Sequence, residues 1–205
     1  MKLLIFALIF LQGVLGFSQI VDTIYYDNGA VKAIGLVADG RREGTWKVLY
    51  PNGNLNAVMN YEGGKLDGEM KQYSFEGKLI STEVYYNDLL TDSAKYFYPS
   101  GQLEKYGKYG DGLYEGEWRF YYENGSIKRI GIYRQGSPNG FWKFYFENGK
   151  LNQEGELRDG LEHGPWKYLN EEGEPLYEGA WKSGEKIGQW YFFKKGKKKE
   201  WKNFD

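Results

Sequence analysis

The chain has no cysteine, a single histidine (His163) and only five prolines among 205 residues. Without cysteine there is no disulfide, no thiol nucleophile, no Cys-ligated zinc and no lipidated cysteine anchor. One histidine and no thiolate leave little from which to build a transition-metal site. A Ser–His–Asp arrangement would have to form around His163, and no serine motif is present for it. No G-x-x-x-x-G-K-[ST] phosphate loop occurs. The net charge is −1, so overall charge recruits neither nucleic acid nor an anionic membrane.

Long apolar runs are also missing, except at the start. "MKLLIFALIFLQGVLGFSQ" has one lysine, an apolar stretch from Leu3 to Leu11, and then small residues. Gly16 and Ser18 fit the −3 and −1 positions of a signal-peptidase site, with Gln19 as the mature N-terminus. The alternative is an uncleaved anchor, but the stretch is short of the ~20 apolar residues of a span. The reading is therefore a signal peptide over residues 1–18 and a single array over residues 19–205, with no transmembrane span in the mature chain. The protein is expected to be exported, and to be periplasmic, outer-membrane associated or extracellular.

What is abundant is glycine, at 29 residues, and aromatic side chains, at 12 Phe, 19 Tyr and 7 Trp. Both are periodic. Trp118, Trp142, Trp166 and Trp190 are 24 residues apart, and Trp46 lies on the same period. The missing steps fall on Met70 and Ala94. Four glycine columns share the period, represented by Gly125, Gly112, Gly116 and Gly131, and together they hold 24 of the 29 glycines. A self-similar period of this kind marks a repeat architecture.

Each unit has two alternating halves. One turn is "YPNG", "YENG" or "FENG", and the other is "DG", "GG", "QG" or "SG". Alternation bounded by such turns predicts a β-hairpin. The expected fold is all-β: an antiparallel meander of tandem 24-residue hairpins, about seven units, forming an elongated twisted ribbon. Setting Tyr122 opposite Ile127 places Trp118 opposite Gly131. A glycine there leaves room for the indole to lie across the partner strand. Trp46, Trp118, Trp142, Trp166 and Trp190, with Gly107, Gly131 and Gly155, are thus structural repeat positions. Trp118, Phe120, Tyr122, Ile127, Gly131 and Tyr133 are expected to share the buried face.

The unit "GEWRFYYENGSIKRIGIYRQG" resembles the MORN-variant repeat, and the resemblance runs from about Tyr25 to Trp201. Chains built of this unit are often labelled YwqK-type antitoxins of toxin–antitoxin pairs. Choline-binding repeats and the YD repeats of large toxins fit less well, the first in period and the second in lacking the G-x-W start. The resemblance implies a binding scaffold of hairpins with no cofactor.

Departures from the repeat are few. Asp88 and Asp92 replace turn glycines beside the Trp-less step at Ala94. They read either as drift or as a kink where a partner inserts. His163 shares a column with Glu43, Asp67, Thr91, Glu115 and Asn139 and reads as a surface turn residue. Recurrent acids such as Glu43, Asp67, Glu115 and Glu162 reach the spacing of a glycosidase pair, but a flat ribbon provides no cleft. No catalytic residue and no metal ligand is assigned, and the chain is read as non-catalytic.

One column carries cations: Lys47, Lys71, Lys95, Arg119, Lys143 and Lys167, each one residue after the Trp position. Two residues further on, and on the same face, lie aromatic or aliphatic side chains, Tyr121 and Tyr145 among them. The candidate binding face is therefore Lys47, Lys95, Arg119, Tyr121, Lys143, Tyr145 and Lys167. It reads as a surface for a protein partner, with an antitoxin- or immunity-like role in view. The alternative is an envelope-binding module for anionic glycan or lipid head groups. A plain solvated face is the structural alternative to both.

Overall fold

The computed structural model describes residues 19–205, and their regular structure is entirely β-strand. The signal-peptide segment, residues 1–18, lies outside the described residues. The strands form eight hairpins in chain order. They are β1 Gln19–Tyr25 with β2 Val31–Ala38, and β3 Arg41–Leu49 with β4 Leu55–Glu62. Next come the interrupted strand β5 Lys65–Leu66 and β6 Gly68–Tyr73 with β7 Leu79–Tyr86, then β8 Leu89–Phe97 with β9 Leu103–Gly110. β10 Leu113–Tyr121 pairs with β11 Ile127–Arg134, and the interrupted β12 Ser137–Pro138 and β13 Gly140–Tyr145 with β14 Leu151–Arg158. The last two are β15 Leu161–Leu169 with β16 Pro175–Lys182, and β17 Glu185–Lys194 with β18 Lys197–Phe204. Each hairpin is hydrogen-bonded to the next, antiparallel throughout, in one open sheet. The expected count of seven thus becomes eight, because β1 and β2 form a hairpin whose Trp column holds Asp22.

The two-residue turns behave as Asp-Gly chemistry requires. Asp159 and Gly160 both have positive φ, 50° and 82°, between the paired Arg158 and Leu161. Asp88 and Asp92 take φ values of 69° and 51° in place of the missing glycines, and asparagine or aspartate tolerates this region better than other side chains. They do the glycines' backbone work: β7 and β8 pair on both sides of Asp92, with Val84 opposite Thr91 and Thr82 opposite Lys95, the same slip that the other units make at a glycine.

The expected register of the longer turn is corrected. Tyr122 faces Ser126, whose carbonyl accepts the Tyr122 N–H at 2.8 Å, and Ile127 pairs with Tyr121. An unbroken ladder from that closure would set Trp118 against Ile130. A bulge at Lys128 absorbs one residue, so Phe120 meets Arg129 and Trp118 meets Gly131. The same shift recurs in each earlier hairpin, for example between Val48 and Leu49. The Trp–Gly pairing therefore depends on a bulge that alternation alone does not reveal.

The indole does not lie over that partner. A Cβ on Gly131 would overlap the ring of Trp142, and a Cβ on Gly155 the ring of Trp166. Each tryptophan lies back across the strand that precedes it, on the glycine eleven residues earlier. Between units the register slips at a positive-φ glycine: Glu115 pairs with Lys108 but Arg119 with Tyr106, around Gly116 at φ 69°. The indole N–H then donates to a carbonyl of the preceding unit, Trp118 to Lys108 at 2.9 Å and Trp166 to Glu156 at 3.0 Å. Tyrosine hydroxyls tie units in the other direction, Tyr98 to the carbonyl of Tyr121 and Tyr122 to that of Tyr145. Each unit is thus joined mainly to its neighbours.

The Trp face is the buried one, as its apolar alternation requires. Trp118 is fully buried, and with Phe120, Tyr133, Trp142, Leu157 and Trp166 it forms one continuous cluster. Tyr114 stacks on Trp118 at 3.9 Å between ring centroids. At the C-terminal end, Trp201 and Phe204 of β18 pack edge-on against Trp190 and close the ladder.

Candidate binding face

On the opposite face the cation column becomes a row running across the strands. From β2 to β17 the paired residues are Ile34, Lys47, Val58, Lys71, Thr82, Lys95 and Tyr106 in the first half. They continue as Arg119, Ile130, Lys143, Glu154, Lys167, Glu178 and Tyr191. The period explains the cations, but what stands between them changes along the array. Lys47, Lys71, Lys95 and Arg119 alternate with uncharged residues. Lys143 and Lys167 alternate with Glu154 and Glu178, and Lys143 Nζ lies 3.9 Å from the Glu154 carboxylate.

Two of the remaining cations have partners within their own strands. Arg119 Nε donates to Glu117 Oε1 at 2.7 Å, and Lys71 Nζ lies 2.8 Å from Glu69. In each case the hydrogen bond and the charge of that glutamate hold the basic group above its ordinary pKa. Lys47 and Lys95 are exposed and form no ion pair among the described residues. Tyr121 and Tyr145 are half-buried, and Tyr121 stacks on Tyr106. The seven predicted binding residues do share one face, and glutamates stand between its cations only in the C-terminal half.

Sequence reasoning missed the apolar part of this face. Ile130, Ile132, Phe141 and Tyr145 line a hollow of about 280 Å³, rimmed by Glu117 and Lys143. Phe141 is 51% exposed and Ile132 44% exposed. The signal lay within their columns: Phe141 stands where other units have Thr45, Glu69, Ser93 or Glu117.

The recurrent carboxylates have another task. Glu43 accepts the N–H of Gly63 at 2.9 Å, and Glu115 that of Gln135 at 2.9 Å. They bind the two-residue turn that joins their own hairpin to the next, so these carboxylates serve the fold. His163, expected as a surface turn residue, instead lies half-buried in β15 opposite Glu156, with Nδ1 buried and unbonded. Among the described residues no group of three or more acidic or histidine side chains is placed to hold a metal.

The chain matches the MORN repeat variant family at residues 42–62, 66–88, 93–111, 114–135 and 138–159. These segments cover more than half of the chain, and the protein belongs to that family. No curated protein matches its sequence. Among solved structures, the crystal structure of TcdB2-TccC3 aligns with 85% of this chain and 13% of its own, at 12% identity and a TM-score of 0.20. The TcdB2-TccC3-Cdc42 crystal structure does so at 11% identity and the same TM-score of 0.20. The chain thus spans a small part of those proteins, and at that score the likeness carries no argument.

Proposed function

We propose that this MORN-variant array is a non-catalytic, exported scaffold that binds a protein partner on its solvent-facing side. The observation that carries the reading is the pair Phe141 and Ile132, large apolar side chains left exposed in the hollow rimmed by Glu117 and Lys143. An exposed apolar centre with a charged rim is the anatomy of a protein interface. The free cations Lys47 and Lys95 extend that rim and favour an acidic partner surface. An immunity- or antitoxin-like role suits such a scaffold, with an exported toxin as the acidic partner.

Affinity purification of residues 19–205 from the native envelope, followed by mass spectrometry, tests this reading. One stoichiometric protein, lost with Phe141→Ala or with charge reversal at Arg119 and Lys143, is the expected result. Recovery of glycan or lipid instead, released by high salt, would transfer the face to the envelope-binding alternative. Export is tested separately, by asking whether residues 1–18 carry a reporter out of the cytoplasm.

A further inference from the structure

The buried face carries a charge cluster that the repeat does not require. The position two residues before the strand glycine, or its equivalent, is Ala33, Ala57, Ser81, Gln153 or Tyr177 in five units. In two adjacent units it is Lys105 and Arg129. Both are register partners of Phe120, one from each side. The Arg129 guanidinium lies 4.0 Å over the Phe120 ring. Lys105 Nζ donates to the Tyr114 hydroxyl at 2.7 Å and sits 4.3 Å from the Tyr96 ring centroid.

A hollow of about 270 Å³ opens beside them, with Lys128, Tyr98 and Tyr121 on its walls and Glu104 as its one carboxylate. Lys105, Lys128 and Arg129 form no ion pair among the described residues. Arg129 Nε is buried and has no hydrogen-bond partner. A buried donor without an acceptor is costly, and more so on a charged group. Three cations against one carboxylate call for an oxyanion, and a guanidinium suits a carboxylate's geometry. The space exceeds that of a bare ion, and its aromatic walls offer flat apolar surface to a ring.

We propose that this hollow is a binding site for a carboxylate-bearing sugar ring, with Arg129 and Lys105 holding the carboxylate and the tyrosines holding the ring. Arg129 and Lys105 are on the face opposite the proposed protein interface, and Tyr121, beside the bulge, is the one residue common to both sites.

The test is a titration of residues 19–205 with D-glucuronate, D-glucose and inorganic phosphate, read by isothermal titration calorimetry in every variant and, in the parent chain, also from the Arg129 Nε–Hε NMR signal. Saturable binding of glucuronate, with none of glucose and weaker binding of phosphate, is the expected result. Arg129→Gln and Lys105→Met are each expected to weaken glucuronate binding at least about tenfold, the scale of one hydrogen bond to a charged group. Lys65→Met, at a distant turn outside both sites, should leave it unchanged. Near-UV circular dichroism checks that the variants fold. Lys128→Met removes a wall cation without touching the Phe120 contacts, and should weaken binding even if Arg129→Gln unfolds the unit. No shift of the Arg129 signal, binding of phosphate as tight as glucuronate, or equal affinity in Lys105→Met and Lys128→Met to that of the parent chain would overturn the proposal.

Discussion

The indole of Trp166 lies on Gly155, its register partner on β14, and donates its N–H to the carbonyl of Glu156. That contact joins the seventh hairpin to the sixth. Within this one chain, tryptophan and glycine vary together. Trp46, Trp118, Trp142, Trp166 and Trp190 each lie on the glycine eleven residues earlier, whereas Met70 and Ala94 at the equivalent steps have Met59 and Glu83 at that position.

Gly155→Ala should therefore be strongly destabilising, although alanine is otherwise acceptable in a strand. Its methyl would overlap the indole, and overpacking of this kind costs about 1–3 kcal/mol. Combining it with Trp166→Met should recover part of the loss, because Met70 already takes this step where the residue eleven earlier is Met59 and not glycine. Urea denaturation of both single variants and the double gives the coupling energy, and simple additivity would refute the account.

The indole hydrogen bond differs between units. Trp118 donates to Lys108, whereas Trp142 Nε1 is buried without a partner. In that unit the Ile132 carbonyl accepts the N–H of Asn139 at 2.8 Å instead. Trp118→Phe should thus cost about 1 kcal/mol more than Trp142→Phe, the net worth of one hydrogen bond. Equal losses in denaturant midpoint would show the bond to be without weight.

Where Ala94 and Glu83 replace the Trp–Gly pair, a carboxylate occupies the ladder. Glu83 is only 9% exposed and accepts a hydrogen bond from Tyr85 at 2.9 Å. Ala94→Trp alone should destabilise by driving an indole onto Glu83. Ala94→Trp with Glu83→Gly recreates the regular pair and should melt above the single variant. A double variant no more stable than Ala94→Trp would mean that the pair alone does not define the unit.

Alkaline pH should loosen the array. Burial, and then its bond to Glu83, pushes the Tyr85 hydroxyl up to about 12, and burial pushes Tyr168 up to about 12. Burial also raises Tyr96 and Tyr109, whose hydroxyls bond to each other at 2.9 Å. Between the ordinary value of 10 and these raised values the folded chain holds more protons than the unfolded chain. Stability is thus fully present below pH 10 and falls as pH rises toward 12. Denaturation series across this range should show the fall, shallower in Tyr85→Phe. A midpoint independent of pH would contradict it.

On the solvent face, Lys95→Glu should weaken the proposed protein complex more than Lys167→Glu. Lys95 is flanked by Thr82 and Tyr106, but Lys167 has Glu154 and Glu178 as its cross-strand neighbours, and their charge makes that stretch of the face less positive. Surface plasmon resonance on the purified partner would compare the two, and a larger effect at Lys167 would move the interface toward the C-terminal half.

By itself the sequence determined the repeat. A 24-residue period in tryptophan and glycine, with Asn-Gly and Asp-Gly turns, specifies tandem hairpins and which side chains alternate to the buried face. Those signals are local, so they survive without knowledge of the partner strands. Tertiary structure decided what depends on bulges and on neighbouring strands. The bulge at Lys128 shifts the ladder by one residue, and the slip at Gly116 sends Trp118 back over Gly107. Only strand pairing shows that Glu154 and Glu178 stand between the cations in the C-terminal part of a basic column that looks uniform along the chain. Lys105 and Arg129, 24 residues apart, become neighbours across Phe120 for the same reason: cross-strand register, not separation along the chain, sets which charges meet.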